Sequence, residues 1–234
     1  MAIFAFLTSQ FGVAQQATPQ QQKVQILQQI FAERAKRPHQ YEWIETTTVT
    51  VDGHSRPPKQ SMCRYAPDGK VQRTPLGTGG AGAEERDLGA PLRGGLIRRA
   101  RMEKEKKATQ ESLEQARALT QMYLPLDRSE LKKAITSGQV SVDRTSSSQM
   151  VVVISNYIKR GDEVKLIVDP TMGQLNSVSI KTYFDKPKNT LTASMQFTTL
   201  ADGAEYPSFT TVDAPSKKLS LSTTSSGFAK LVVQ

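Results

Sequence analysis

From residue 139 to the end of the chain, apolar positions recur every second residue in short runs separated by turn signals. Val178, Ile180 and Phe184 alternate with Ser179, Lys181 and Tyr183. After Pro187, Leu191, Ala193, Met195 and Phe197 alternate with Thr192, Ser194, Gln196 and Thr198. Residues 150–158 and 163–168 make a hairpin across Arg160-Gly161-Asp162, and residues 206–212 and 217–224 complete the run. Period-two runs joined by short turns predict an antiparallel sheet. The same alternation appears earlier, in Tyr41, Trp43, Thr47, Val49 and Val51 against Glu42, Thr46, Thr48 and Thr50. Its expected partners are residues 60–66 and, beyond an Asp68-Gly69 hairpin signal, a short strand from Val71.

Helical spacing is confined to three places. Val24, Leu27, Ile30 and Phe31 predict a helix over 23–36, stopped by Pro38. A second stretch, 96–124, is polar on all sides over 98–111 and then amphipathic through Leu113, Ala116, Leu119 and Tyr123. Asp127, with Glu130 three residues on, reads as a capping box that starts a short third helix, and Gly138 is its exit. Residues 77–95 carry seven glycines and little apolar content, which predicts a flexible loop. The expected organisation is therefore one α+β domain over 23–234, with the Gly-rich loop 77–95 and a helical insertion 96–137. Ahead of it lie a disordered Gln-rich stretch, 15–22, and the segment 1–14.

That first segment changes how the charge is understood. Residues 2–14 are apolar and uncharged, and Gly12-Val13-Ala14 places small residues where a signal peptidase reads. The expectation is a secretory signal peptide cut near Ala14 and a periplasmic or secreted product, although no basic segment precedes the apolar run. The formal net charge of +9 then favours anionic partners in the envelope. Nucleic acid is not expected, because aromatic residues are not interleaved with the basic ones. The basic run of Arg98, Arg99, Arg101, Lys104, Lys106 and Lys107 is the candidate contact with an anionic membrane surface.

Each strand has one apolar face, so the sheet needs cover on one side only. The three helices offer too little apolar surface to cover eight or more strands laid flat. A curved sheet wrapped around them, a half-barrel, resolves the shortfall and leaves room on its concave face. With this layout the chain resembles the bacterial lipoprotein-carrier and lipoprotein-acceptor (Lol) superfamily of periplasmic half-barrel proteins. Val168-Asp169-Pro170-Thr171-Met172-Gly173 is similar to the Asp-Pro-x-x-Gly hairpin of that group, and Asp202-Gly203-Ala204-Glu205-Tyr206-Pro207 to its strand entry. The resemblance implies an apolar partner, a lipid or an acylated protein. The side chains expected to meet it are Trp43, Val49, Val178, Ile180, Phe184, Met195 and Phe197. The alternative is an envelope scaffold that contacts an anionic partner through its basic helix.

Catalytic chemistry finds little support in the residues. Gly77-Thr78-Gly79-Gly80-Ala81-Gly82 matches G-x-G-x-x-G, but a dinucleotide site needs a parallel βαβ unit. His39 and His54 are the only histidines, and Cys63 is the only cysteine, so a metal set, a disulfide and most triads are not expected. His54 and Cys63 remain a conceivable pair across a hairpin. Asp169, Asp202 and Asp213 are expected in turns. The reading is a non-enzyme without cofactor or metal.

Overall fold

The computed structural model describes residues 41–66, 71–76, 94–124 and 126–231, together with Gln25, which is helical. The expected signal peptide, the Gln-rich stretch, the rest of helix 23–36, the Asp68-Gly69 turn and residues 77–93 lie outside these. The described strands are β1 (Tyr41–Val51), β2 (His54–Ser55), β3 (Lys59–Tyr65), β4 (Val71–Leu76), β5 (Val140–Arg144), β6 (Met150–Ser155), β7 (Glu163–Asp169), β8 (Gln174–Tyr183), β9 (Thr190–Thr199), β10 (Glu205–Ala214) and β11 (Leu219–Lys230). Between β4 and β5 come α1 (Gly94–Gln121) and α2 (Arg128–Thr136).

All eleven strands form one open, curved antiparallel sheet in the order β4-β3-β1-β11-β10-β9-β8-β7-β6-β5, with β2 on the far end of β1. The chain is thus a half-barrel of the α+β class. From β5 to β11 it is a simple meander, and its last strand returns to pair with its first. That β1–β11 ladder runs from Tyr41 opposite Lys230 to Val51 opposite Leu219. β11 is longer than its alternation suggested, because the Ser- and Thr-rich stretch after Thr224 continues alongside β1. The backbone ladder, not apolar burial, holds that part.

Register turns alternation into rows. One inner row reads Val49, Leu221, Val212, Ala193, Ile180, Val164, Ile154, Val140 across eight strands from β1 to β5. It is apolar throughout. An adjacent outer row reads Thr48, Ser222, Thr211, Ser194, Ser179, Lys165. One side faces the core and the other faces water, as period two requires.

The helices seal the β5–β8 half of the inner face. Ala116 and Leu119 from α1 and Tyr123 just after it, with Leu131 and Ala134 from α2, are buried with Val152, Ile154, Val164, Leu166, Val178 and Ile180. α1 begins at Gly94 and not after the glycines, and its α-helical part stops at Gln121. The expected capping box is half formed. Asp127 Oδ1 accepts from the backbone N–H groups of Ser129 (2.7 Å) and Glu130 (3.1 Å), but Glu130 pairs with Lys133 at 2.7 Å instead of reaching back. The backbone N–H of Asp127 donates to Tyr157 Oη at 2.9 Å, which takes the place of that return bond. At the exit of α2, Gly138 has φ +72°, and the amides of Gly138 and Gln139 close onto Ile135 and Ala134, a Schellman arrangement.

A buried carboxylate locks α1 to the sheet. Asp162, in the β6–β7 loop and 2% exposed, accepts from the backbone N–H groups of Tyr157 (2.6 Å), Ile158 (3.0 Å) and Lys159 (2.7 Å). Tyr123 Oη at the end of α1 donates to it at 2.6 Å and lies 2.7 Å from Thr182 Oγ1 on β8. Burial, and then the Asp162 hydrogen bond, push the Tyr123 phenol well above its ordinary value.

Candidate functional site

Past β8 the inner face is less completely buried among the described residues. A second inner row reads Thr47, Thr223, Thr210, Met195, Val178, Leu166, Val152, Val142 from β1 to β5. Its β5–β8 members are buried, whereas Met195, Thr210, Thr223 and Thr47 are half-exposed. In the apolar row beside it, Val49 and Val212 are also half-exposed, as is Phe197, two residues beyond Met195 on β9. Met195, Phe197, Val212 and Val49 thus form an apolar strip bordered by three hydroxyls, and Thr47 and Thr223 share a hydrogen bond of 3.0 Å. A mostly apolar surface with a few fixed polar groups is the usual composition of a small-ligand site.

The strip ends against a second, smaller core. Trp43, Cys63, Ala204 and Tyr206 are buried there with Tyr41, Tyr65 and Phe228 around them. Ring centroids lie 5.2 Å apart for Trp43–Tyr65, 5.3 Å for Trp43–Tyr206 and 6.2 Å for Trp43–Phe228. A bulge brings Phe228 into this group. Between Glu42 and Ile44 on β1, the partner strand spends one extra residue, and Gly227 there has φ +65°. Tyr41 Oη closes the edge by donating to Asp202 at 2.7 Å. That bond, with the Ala204 N–H, holds the Asp202 carboxyl below its usual range.

Between strip and aromatic group stands Glu45, 7% exposed. Its Oε2 accepts from Arg73 Nε at 2.7 Å and its Oε1 from Trp43 Nε1 at 3.3 Å. Arg73 reaches it from the edge strand β4, over Cys63, since Trp43, Cys63 and Arg73 are opposite one another on β1, β3 and β4. Burial, and next the Glu45 charge, push the Cys63 thiol up to about 12. A thiol held protonated this firmly is a poor nucleophile. It does not meet His54 either. His54 pairs with Val51 and Cys63 with Trp43, eight residues apart on β1, which separates the two by about 27 Å along the strand.

The seven apolar residues singled out from the sequence fall into three groups. Val178 and Ile180, each 1% exposed, are core beneath the helices. Trp43, with no exposure, belongs to the aromatic group. Val49, Phe184, Met195 and Phe197 are half-exposed on or beside the inner face, Phe184 with Lys217 Nζ 5.6 Å from its ring centroid. Alternation placed Thr47 on the Trp43 face without marking it as a site residue, and it did not single out Glu45, Thr210, Val212 and Thr223, although strict period two from Trp43 puts Glu45 on the inner side. Of the aspartates expected in turns, Asp169 accepts from the amides of Thr171 and Met172, and Asp202 from that of Ala204. Asp213 instead lies within β10, opposite Ser220 and Thr192. Of the basic run, Arg98, Arg99 and Arg101 lie in the first turns of α1, and Lys104, Lys106 and Lys107 are exposed farther along it.

Two other possibilities are less well furnished. Among the described residues, no group of three or more His, Cys, Asp or Glu side chains converges on one point. A shallow, open depression of about 530 Å³ lies by the turns at Asp52 and Lys218, lined by none of the strip residues, and holds the Lys218–Asp52 ion pair at 2.6 Å. Among the described residues no helix is long and apolar enough to cross a membrane.

No protein-family model matches the chain, and no curated protein matches it. Among solved structures it is similar to a DUF1329 family protein from Desulfovibrio piger, with 6% identity, a TM-score of 0.42 and coverage of 93% of this chain and 95% of that one. It is also similar to a LolA superfamily protein from Nitrosomonas europaea, with 8% identity, a TM-score of 0.38 and coverage of 88% and 94% respectively.

Proposed function

We propose that this chain is an exported binding protein that shelters an apolar ligand, the acyl chain of a lipid or of an acylated protein, on the inner face of its half-barrel. The observation that carries this reading is the strip of Met195, Phe197, Val212 and Val49. It continues the apolar rows of the core, yet stays half-exposed. Each methylene laid there and withdrawn from water contributes about 0.8 kcal/mol, so a run of about eight contributes roughly 6 kcal/mol before association costs. Thr47, Thr210 and Thr223 border the strip with hydroxyls that suit a carbonyl or ester at the head of such a chain. Binding without turnover fits the nearby ionisable groups. Glu45 is committed to Arg73 and Trp43, and the Cys63 thiol is held protonated. Export rests on the apolar segment 2–14 and the small residues that end it.

Solvent extraction of the purified protein followed by mass spectrometry, with titration by a fluorescent fatty acid, tests this. The expected result is a co-purifying acyl lipid and saturable binding that the pair Met195→Glu and Phe197→Glu weakens at least tenfold. Failure to recover or bind any acyl compound, or binding untouched by that pair, would overturn the proposal.

A further inference from the structure

Tyr206 is 1% exposed, and its phenol oxygen has no hydrogen-bond partner among the described residues. A buried hydroxyl ordinarily finds one. Four rings surround it: those of Tyr41, Trp43, Tyr65 and Phe228 lie 5.4, 5.3, 5.8 and 5.3 Å from its own, centroid to centroid. The backbone N–H of Tyr41 acts on the phenol oxygen, but it is itself a donor and falls short of hydrogen-bond geometry. The phenol proton therefore lacks an acceptor. Burial holds the phenol up to about 12, so that proton stays in place at any ordinary pH.

Tyr206 also adjoins the end of the apolar strip, since Pro207 stands opposite Phe197 and Tyr206 precedes it on β10. Of the hydroxyls beside the strip, those of Thr47 and Thr223 already share a hydrogen bond. We propose that Tyr206 is the head-group donor of the site, its Oη–H pairing with the carbonyl of an ester- or amide-linked acyl chain whose tail lies on Met195, Phe197 and Val212. With the acyl ligand of the strip as its premise, the phenol selects which acyl compounds are held. A neutral carbonyl fits it better than a free carboxylate, because the Asp202 charge already acts on the phenol and repels a second anion. Three of the four surrounding rings, those of Tyr41, Tyr65 and Phe228, are half-exposed, and rotation of one of them admits the carbonyl.

Displacement of a fluorescent fatty acid by methyl laurate, N-methyl lauramide, ionised laurate and dodecane, on the unaltered protein and on Tyr206→Phe, tests this. Tyr206→Phe should weaken the ester and the amide about tenfold, the order expected when a buried acceptor loses its donor, and leave dodecane unchanged and laurate far less affected. The larger of the two carbonyl losses assigns the source, a lipid for the ester and an acylated protein for the amide. Because the hydroxyl has no partner in the free protein, the substitution should not lower the urea midpoint. A lowered midpoint with unchanged affinities points to a trapped water as the phenol's partner, and equal losses for all four probes point to packing alone; either result rules the proposal out. If the unaltered protein binds none of the probes, the acyl-ligand reading fails and takes this one with it. If it binds them and Tyr206→Phe changes nothing, this one fails alone.

Discussion

Removing the carboxylate of Asp162 should be among the most costly single changes in the helix-covered half of the molecule. Four donors converge on it, three of them backbone N–H groups of the β6–β7 loop and the fourth Tyr123 Oη. Asp162→Ala strands the three amides, each worth about 1–3 kcal/mol when buried without a partner. Tyr123 keeps Thr182, which limits the loss at its end. Allowing for relaxation and entering water, the net cost is about 3–5 kcal/mol. Tyr123→Phe removes one charge-assisted bond but leaves the carboxylate with its three amides, so about 1.5–3 kcal/mol is expected. Urea unfolding followed by the fluorescence of Trp43, the single tryptophan, reads both. With a slope of about 2–3 kcal/mol per molar, Asp162→Ala should lower the midpoint by at least about 1 M. Trp43 lies in the other core, so circular dichroism run in parallel shows whether the two cores melt together. A Tyr123→Phe loss equal to or larger than the Asp162→Ala loss would refute the reasoning, since the tyrosine supplies only one of the four donors.

The core and the proposed site should respond oppositely to truncation. Ile180→Ala, under the helices, should cost about 2–5 kcal/mol, whereas Met195→Ala, half-exposed, should cost less than about 1 kcal/mol yet weaken acyl binding; stability and titration measured on the same samples separate the two. Alkaline pH should destabilise the fold. The Cys63 thiol and the Tyr206 phenol are both held up to about 12 in the folded state, chiefly by burial, from ordinary values of 9.0 and 10.0. A raised folded value means stability that is complete below the unfolded value and is lost as pH climbs through the folded one. Unfolding midpoints should therefore fall progressively between about pH 9 and 12, and Cys63 should react with a thiol reagent only when denaturant is present.

Much of the sheet was legible because β6, β7, β8 and the first half of β9 obey period two. Val178, Ile180, Leu191 and Ala193 were placed on one face by alternation alone, and register confirms it. Alternation could not show where that face changes from core to site. Val178 and Met195 are direct partners, so they look alike in sequence, and only tertiary packing makes one buried and the other half-exposed. Glu45 was missed because a carboxylate on an inner position contradicts the apolar rule. It is tolerated there through Arg73 on β4, the strand expected beyond the Asp68-Gly69 hairpin signal, but that expectation did not show which side chain would face Glu45. Phe228 escaped for a related reason. Its place beside Trp43 depends on a bulge, and one inserted residue shifts everything after it out of phase.

The pairing of β1 with β11 sets a timetable for the chain. Tyr41–Val51 forms one of its two main ladders with residues that are made about 170 to 190 positions later. Until those arrive, β1 has an open edge, and the Trp43 group lacks Phe228 and Tyr206. Contacts between distant parts of a chain are slow to form, and unpaired edges invite association with other chains while they wait. The nascent molecule therefore has a long vulnerable interval, during which a holding chaperone would shield β1 more effectively than any other strand.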